Sequence, residues 1–564
     1  MPETLAPPRI SKKSLEHLEK IRYQLHDERE PYKQFWQKYG PRVNPIFYNW
    51  DEDTEPGTEG PPDKKDQYDN TAQKASDILA NGIQSNGFGR QVPWIQLATE
   101  DAELQKDRGT QEWLQLASRS LARQFSRTNF YDEARPFTKS AADFGTGIIF
   151  REHNKERGIP VYHALHLKRC LIAEDGYGEV DTLIRDFWLA AWEAVGLFGE
   201  KNLPKTIQDD YRENNPKKRK YRQYIFPRDK FDLDLGARTN GKRYYSLFIA
   251  DCEPQKPIAE GGYEERPFYV WRWGRSLDGV PWGVDSPGMI EYSNVLQLNA
   301  EKKDFTRLVQ LAAQPMFKAT AGLEGKIQRK PASTVFLKPG QDFVPVPMVG
   351  DLAGISADME IIRKSINETY QVQFFLALQA NIERLKTATE VAGIKGEQAA
   401  MLAAMTGRLH FEFLEPATED LFSLELMYGR LPPVPENLKG QRIRIDLVSP
   451  LAQLQKRYMM LNETDEFMIR VLQVAQQAPE VLDKVDLDAY ADTIAEAYNQ
   501  DRRVVRDLAD VENMRKRRAQ QQEAMAVEQM RNERMKAQAS MLQAGGKSPE
   551  PGSPVEKMMG GGEA

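Results

Sequence analysis

Apolar positions along the chain fall into helical and strand periodicities in alternating blocks. Residues 11–40 read as a polar helix with aromatics near its end, followed by an acidic Pro/Gly-containing loop from Asp51 to Asp69. From Thr71, Ala75, Ile78, Leu79 and Ile83 recur at helical spacing, and further helices are predicted over Thr110–Phe125 and Asn129–Phe144. The text then changes to short runs rich in β-formers: Ile148-Ile149-Phe150, Val161 to Leu165, Thr182 to Phe187, and two runs within 243–273. Between them lies a basic stretch, Lys217 to Arg222, read as a solvated loop with phosphate or an acidic partner as the alternative.

From Met289 a helix pattern puts Val295, Leu298, Phe305, Val309 and Ala312 on one side, with Pro315 as its stop. If continuous over ~24 residues it is roughly 36 Å long. A second pattern carries Ile355, Met359, Ile362, Ile366 and Tyr370. Strand-and-turn text separates the two: Thr334-Val-Phe-Leu-Lys, the turn signal Pro339-Gly340, and Phe343-Val-Pro-Val-Pro. The expected arrangement is a pair of long helices holding a small β-unit at their tip. Thr387-Ala-Thr-Glu390 is a capping box opening a helix that reaches Tyr428, with Gly429 closing it and Gly393, Gly396 and Pro416 predicting kinks. A strand at Ile443–Val448 follows, then helices from Ser449-Pro450 to about Ala544, and a Gly/Pro/Ser tail expected to be disordered.

A length of 564 residues predicts two to four lobes. With 77 basic and 83 acidic residues the net charge is −6, which argues against strong indiscriminate binding to nucleic acid. Two cysteines, Cys170 and Cys252, exclude a disulfide framework. No secretory signal is visible and no apolar run approaches the roughly 18 residues that span a bilayer, so a soluble intracellular protein is expected.

Candidate chemistry is sparse. None of the six histidines has zinc-protease spacing, and His163-x-x-His166 with Cys170 beyond it matches no standard ligand set. Gly545-Gly-Lys-Ser548 lacks the first glycine of a P-loop, since Met541 stands there, and no Gly-x-Ser-x-Gly elbow occurs. Trp271 and Trp273 are read as core and interface, and Arg515–Arg518 as a solvated helix face or a contact to DNA. The expectation is no catalytic residues, no metal and no cofactor.

One series of segments runs, in order, through Asn70-Thr-Ala-Gln-Lys-Ala-Ser-Asp-Ile-Leu-Ala with Trp94-Ile-Gln-Leu, Gly283-Val-Asp-Ser-Pro-Gly, Ala312-Ala-Gln-Pro-Met, and Thr387-Ala-Thr-Glu-Val with the helix to Leu414-Glu-Pro. Gly429-Arg-Leu-Pro-Pro-Val-Pro, Ser449-Pro-Leu-Ala and Pro479-Glu-Val-Leu-Asp complete it, covering about residues 65–520. In order and spacing the series resembles bacteriophage portal proteins, the head-to-tail connectors, especially of the short-tailed type.

The resemblance implies an α+β, mainly α, subunit of a ring, typically a dodecamer. Residues 1–285 would be the wing, 286–314 and 351–378 the stem helices, 315–350 the β clip and 379–386 the channel loop. Residues 387–448 would return to the wing as long helix and strand, 449–544 would form the helical crown, and 545–564 the tail. It further implies passage of double-stranded DNA, docking of the major capsid protein, terminase and tail adaptor proteins, and no membrane. The place is a capsid vertex of the virion, assembled in the host cytoplasm. Arg384 and Lys386 at the channel loop and Lys302, Lys303 and Lys364 on the stem are the expected DNA-facing residues. Inter-subunit salt bridging is the competing reading for the stem residues. Lys326, Arg329 and Lys330 are expected to meet partner proteins at the clip. The alternatives to a DNA conduit are another structural virion or scaffold protein and, more remotely, an enzyme acting on DNA or cell wall.

Overall fold

The computed structural model describes residues 5–44, 49–58, 67–90, 94–101, 104, 107–154, 157–231, 233–235, 242–321, 336–346, 351–383, 406–448, 467–476, 478–497 and 508–545. The fold is α+β, richer in helix than in strand. It divides into two compact units, Met1–Met459 and Met460–Ala564.

The first unit opens with α1 (Lys12–Val43), capped by Ser11, whose hydroxyl accepts from the amide of Ser14. Two helices follow, α2 (Thr71–Gly87) and, after β1 (Ile95–Thr99), α3 (Arg108–Arg127). The helix α4 (Phe130–Phe144) ends on Gly145 in the left-handed region. Strands β2 (Thr146–Asn154) and β3 (Ile159–Ala164) pair with each other and, on the other edge of β2, with β9 (Phe268–Arg272).

Five antiparallel strands make the larger sheet in sequence order: β4 (Cys170–Glu174), β5 (Val180–Ala190), β6 (Lys218–Pro227), β7 (Tyr244–Ala250) and β8 (Pro257–Tyr263). Period-two alternation on β7 sends Tyr245, Leu247 and Ile249 to one face, where the first half of α1 supplies Leu15, Leu18 and Leu25. Phe248 and Ala250 face the other way, against α5 (Ala191–Phe198) and α6 (Lys205–Arg212). The second half of α1 leaves the sheet and puts Trp36, Tyr39 and Val43 into the main core. At the crossover the buried Arg29 donates to the carbonyls of Lys168 and Cys170 at 2.8 and 3.0 Å and pairs with Glu52 at 2.6 Å.

The basic stretch read as a loop is instead part of β6, a central strand paired with β5 and β7. Three of its five cations are paired with carboxylates brought in from other segments. Lys220 lies 2.8 Å from Asp53 and 3.2 Å from Asp186, Arg222 2.8 Å from Asp186, and Arg219 2.6 Å from Asp210. The signal passed over was the β-rich text that follows, Tyr221-Arg-Gln-Tyr-Ile-Phe.

After a short ribbon of β10 (Gly274–Arg275) and β11 (Gly283–Val284), the turn α7 (Pro287–Ile290) leads into α8 (Tyr292–Ala313). Its 22 residues make it roughly 33 Å long. A two-stranded ribbon of β12 (Phe317–Ala319) and β13 (Phe343–Pro345) caps it, with Phe317 and Phe343 stacked at 4.4 Å. The run Thr334–Lys338 was expected as a strand. Phe336–Lys338 are irregular chain entering the Pro339-Gly340 turn, and Phe317–Ala319 supply the partner strand; Thr334 and Val335 lie outside the described residues. The chain returns through α9 (Leu352–Thr369), packed on α8, and α10 (Val372–Glu383), which carries helix into the stretch read as the channel loop.

Residues 406–409 are helical, and the helix widens into a π turn at His410–Leu414 and continues as α11 (Glu415–Met427). The widening sits where Pro416 has no amide to donate back to residue 412, the kind of break its position predicts. Gly429 closes α11 with φ 62°. The strand β14 (Ile443–Leu447) pairs with β1, Ile95 opposite Leu447. In the second unit, residues 467–475 are helical, and α12 (Leu487–Ala497) and α13 (Leu508–Gly545) are joined by Arg515 pairing with Asp488 at 2.7 Å.

Glycines mark where the hairpin's approach meets α4. A Cβ on Gly283 would stand 1.9 Å from the carbonyl oxygen of Gly145, and one on Gly288 would stand 2.1 Å from that of Asp143. Gly283→Ala is therefore expected to destabilise the first unit by about 1–3 kcal/mol in chemical denaturation. Gly176→Ala, with open space around it, should change stability by less than about 0.5 kcal/mol.

Candidate functional site at the root of the helical hairpin

Ser286 caps α7, its hydroxyl accepting from the Met289 amide at 3.3 Å, and Pro287 occupies the first helical position. The apolar stripe of α8 is buried only near its start, at Val295 and Leu298, where α9 contributes Met359, Ile362 and Ile366. Phe305 and Ile355 are half-buried, while Val309 and Ala312 are exposed. The hairpin is thus seated at its root and open toward its tip.

Polar groups fix the register at that root. Glu291, 2% exposed, accepts from Thr369 at 2.5 Å, from Ser365 at 3.2 Å and from Asn294 at 2.8 Å, tying the start of α8 to the end of α9. Asn299 accepts the amides of Tyr68 and Asp69 at 2.8 and 3.1 Å. Two guanidinium nitrogens of Arg363 meet the same Asp69 carboxylate at 2.9 and 3.2 Å. Half-burial pushes the Asp69 carboxyl up, but hydrogen bonds from Thr71 and the Arg363 charge hold it below the usual range.

Tyr370, the last residue before the break between α9 and α10, donates to Asp143 at 3.1 Å and shares a 2.9 Å hydrogen bond with Tyr39. Burial pushes both phenols well above their ordinary value, so they stay protonated and available as donors. Asp143 is fully buried, and burial outweighs the nearby Lys139 ammonium and the Tyr370 hydroxyl to push its carboxyl up to about 6. Gln371, immediately after, sits at φ 52°, a conformation that costs a non-glycine residue energy and turns the chain into α10.

Three of the expected DNA-facing residues lie on this hairpin. Lys302 is half-buried with its ammonium 5.3 Å from the Phe305 ring, and Lys303 is half-buried 5.4 Å from the ring of Tyr68. Lys364 is exposed and lies 3.7 Å from Glu368 one turn on. Arg384, Lys386, Lys326, Arg329 and Lys330 lie outside the described residues, as do the Thr387 capping box, Gly393 and Gly396. Sequence reasoning did not single out Glu291, Asn299 or Asp143, whose partners come from segments far along the chain.

The remaining candidates separate. His163 is half-exposed, 4.0 Å from Glu152, whereas His166 is half-buried edge-on to the Trp50 ring and Cys170 is enclosed in the core. Among the described residues no cluster of His, Cys, Asp and Glu is arranged to hold a metal ion. Trp271 is wholly buried and Trp273 packs partly buried beside it at 5.7 Å. A cleft of about 780 Å³ opens between β5, the β8–β9 turn, the π turn, α11 and β14.

The sequence profile of bacteriophage head to tail connecting proteins matches residues 15–506. The chain is 28% identical over 530 residues to the portal protein of Salmonella phage epsilon15, covering 90% of this chain and 92% of the relative. It is 26% identical over 518 residues to the probable portal protein of Bordetella phage BPP-1, covering 89% and 90%. No helix among the described residues is long and apolar enough to cross a membrane.

The folded state binds a proton on Asp143 more tightly than the unfolded chain does. Its contribution to stability is therefore full below about pH 4 and lost as pH rises through about 6. Asp143→Asn keeps an acceptor for Tyr370 without the buried charge. Chemical denaturation should show a flatter pH dependence between 4 and 6 and a gain on the order of 1–3 kcal/mol at pH 7.5.

Proposed function

The chain belongs to the bacteriophage head-to-tail connecting proteins, the portal family, and on that footing we propose that it forms a ring through which viral DNA passes. The ring, with about a dozen copies as is typical of portals, sits at one capsid vertex of the virion after assembly in the host cytoplasm. It receives the major capsid protein, the terminase during packaging, and tail adaptor proteins afterwards. The role is structural, as the names of the two relatives indicate. No cofactor enters it.

In this reading residues 1–285 are the wing, α8 and α9 the stem, the β12–β13 ribbon part of the clip and 387–448 the return to the wing. Residues 449–544 are the crown. The channel loop of 379–386 is shortened at its start, because α10 runs to Glu383. The observation that carries the proposal is the hairpin itself. Its root is locked by buried hydrogen bonds, while apolar residues toward its tip, Val309 and Leu311, are left to solvent in a single copy. Neighbouring copies standing side by side would cover that surface and wall a passage.

The charge pattern suits a conduit. Duplex DNA carries a phosphate charge roughly every 1.7 Å of axis, and every lumen cation is repeated around a ring. A densely basic wall would hold the duplex and resist sliding, so weak repulsion with sparse positive rings is the workable compromise. Arg384 and Lys386 at the channel loop, with Lys302, Lys303 and Lys364 on the stem, are the proposed sparse rings. Lys326, Arg329 and Lys330 are proposed to meet protein at the clip.

Class averages of the purified assembly viewed down its axis should show a ring with an open centre. A closed disc, or a solution of monomers under conditions where the relatives assemble, overturns the reading. Arg384→Glu with Lys386→Glu should leave the ring intact and lower the fraction of DNA-filled heads by about tenfold or more, counted by electron microscopy. Filled heads at the wild-type frequency would remove those two residues from the channel.

A further inference from the structure

Two helices of the first unit turn opposite charges outward. On α3, Trp113, Leu114, Ala117, Leu121 and Phe125 are buried, which places Leu116, Arg119, Arg123 and Arg127 on the far side. The three arginines are exposed and recur every fourth residue, about 6 Å apart along the axis. Leu116, 47% exposed, lies next to the row. Arg123 and Arg127 have no carboxylate partner among the described residues.

On α11, Ala417, Thr418, Leu421, Leu424 and Glu425 are buried, so Glu415 and Glu419 point away from the core with the same four-residue pitch. With Glu265 from the β8–β9 turn they form the acidic end of the cleft. Four of the five arginines lining the cleft are engaged elsewhere, Arg275 with Glu174 at 3.4 Å among them, and Arg243 lies 5.8 Å from the Tyr244 ring. Arg272 pairs with Glu174 and Glu412, Arg408 with Glu412, and Arg266 donates to the Val180 carbonyl at 2.6 Å. Asp420 is held by Tyr269 and by Arg151 at 3.4 Å.

Glu265 and Glu419 have no ion-pair partner among the described residues, and burial together with Glu415, Asp420 and Glu265 pushes the Glu419 carboxyl up. Beside them the cleft wall is apolar, with Leu97, Phe422, Ile443 and a Phe411 that is 68% exposed. Crowded carboxylates next to an uncovered aromatic form a site that one copy leaves incomplete.

We infer that the arginine row of α3 on one copy docks on the Glu265–Glu419 end of the cleft of the next copy. The inference rests on the ring reading and names its contact. A head-to-tail ring needs two unlike faces on every copy, and these two match in charge and in helical pitch. Leu116 gives the contact an apolar element to set against the Phe411 wall. Exposed ion pairs contribute modestly to affinity, but they steer encounter and choose partners. Two copies meeting through the same face would set arginine row against arginine row, so the arrangement also disfavours closed back-to-back pairs.

The test uses two full-length variants, Arg123→Glu/Arg127→Glu and Glu265→Lys/Glu419→Lys, altering residues that are exposed and leaving the core untouched. Unchanged circular dichroism and melting establish that each folds. Alone, each should need about tenfold higher concentration than wild type for half-assembly at physiological salt, read by native mass spectrometry. Mixed in equal amounts, the two should regain rings made of alternating variants, distinguished by isotope labelling of one. The inference is overturned if either variant assembles alone as wild type does, or if the mixture gives no rescue. It is also overturned if the arginine variant forms normal rings but its heads lose DNA, since the row would then face nucleic acid. Those outcomes leave the ring reading standing, whereas a wild-type chain that forms no ring removes the ring reading and this contact together.

Discussion

The hairpin depends on buried hydrogen bonds that let α8 and α9 meet each other and α4 in only one register. Apolar contact among Val295, Leu298, Ile362 and Ile366 supplies attraction, but such surfaces tolerate sliding and rotation at modest cost. Glu291 does not. Its carboxylate reaches Ser365 and Thr369, one turn apart on α9, and a slip of one residue would strand a buried charge. The Asp143–Tyr370–Tyr39 chain does the same for the end of α9. Gly145, Gly283 and Gly288 allow the backbones close enough for these bonds to form.

Whatever was decided by local periodicity could be read from the chain. The helices from Thr71, Thr110 and Asn129, both hairpin helices, the strand at Ile443 and the closure at Gly429 all follow from residues adjacent in sequence. Whatever was decided by a distant partner could not. Lysines and arginines in a row look solvated until Asp53, Asp186 and Asp210 arrive from three other segments, after which β6 is an ordinary central strand. The strand β1 exists because β14 lies beside it, some 350 residues later in the chain. Of the candidate site, the lysines on α8 and α9 were legible as cations on helices. Their environments, an aromatic ring for Lys302 and Lys303 and a carboxylate for Lys364, were not.

A net charge of −6 suggests a surface without electrostatic character, and the structure replaces that picture with one of allocation. Many cations among the described residues of the first unit are engaged internally. Arg29, Arg222, Arg272 and Arg363 each hold together segments that are remote in sequence. What remains unpaired is therefore informative in a way the bulk composition is not. Arg123 and Arg127 on α3 and Glu265 and Glu419 at the acidic end of the cleft have no ion-pair partner among the described residues, and charge left open is what a partner reads first.

Rigidity at the root matters because the hairpin is a lever. Over a helix of roughly 33 Å, a tilt of about 10° at the base displaces the tip by roughly 6 Å, more than the spacing between paired strands. The ribbon at that tip has only three residues in each strand, too few to be stable by themselves, and it leans on the Phe317–Phe343 stack. A ring built from such levers closes only if every copy holds the same angle, since an error made once is repeated at every interface. Charged and polar groups buried at the root cost stability, as the elevated carboxyl of Asp143 shows. Their return is directional: hydrophobic contact can seat two helices, but only a bond network with a single solution fixes where their far ends arrive.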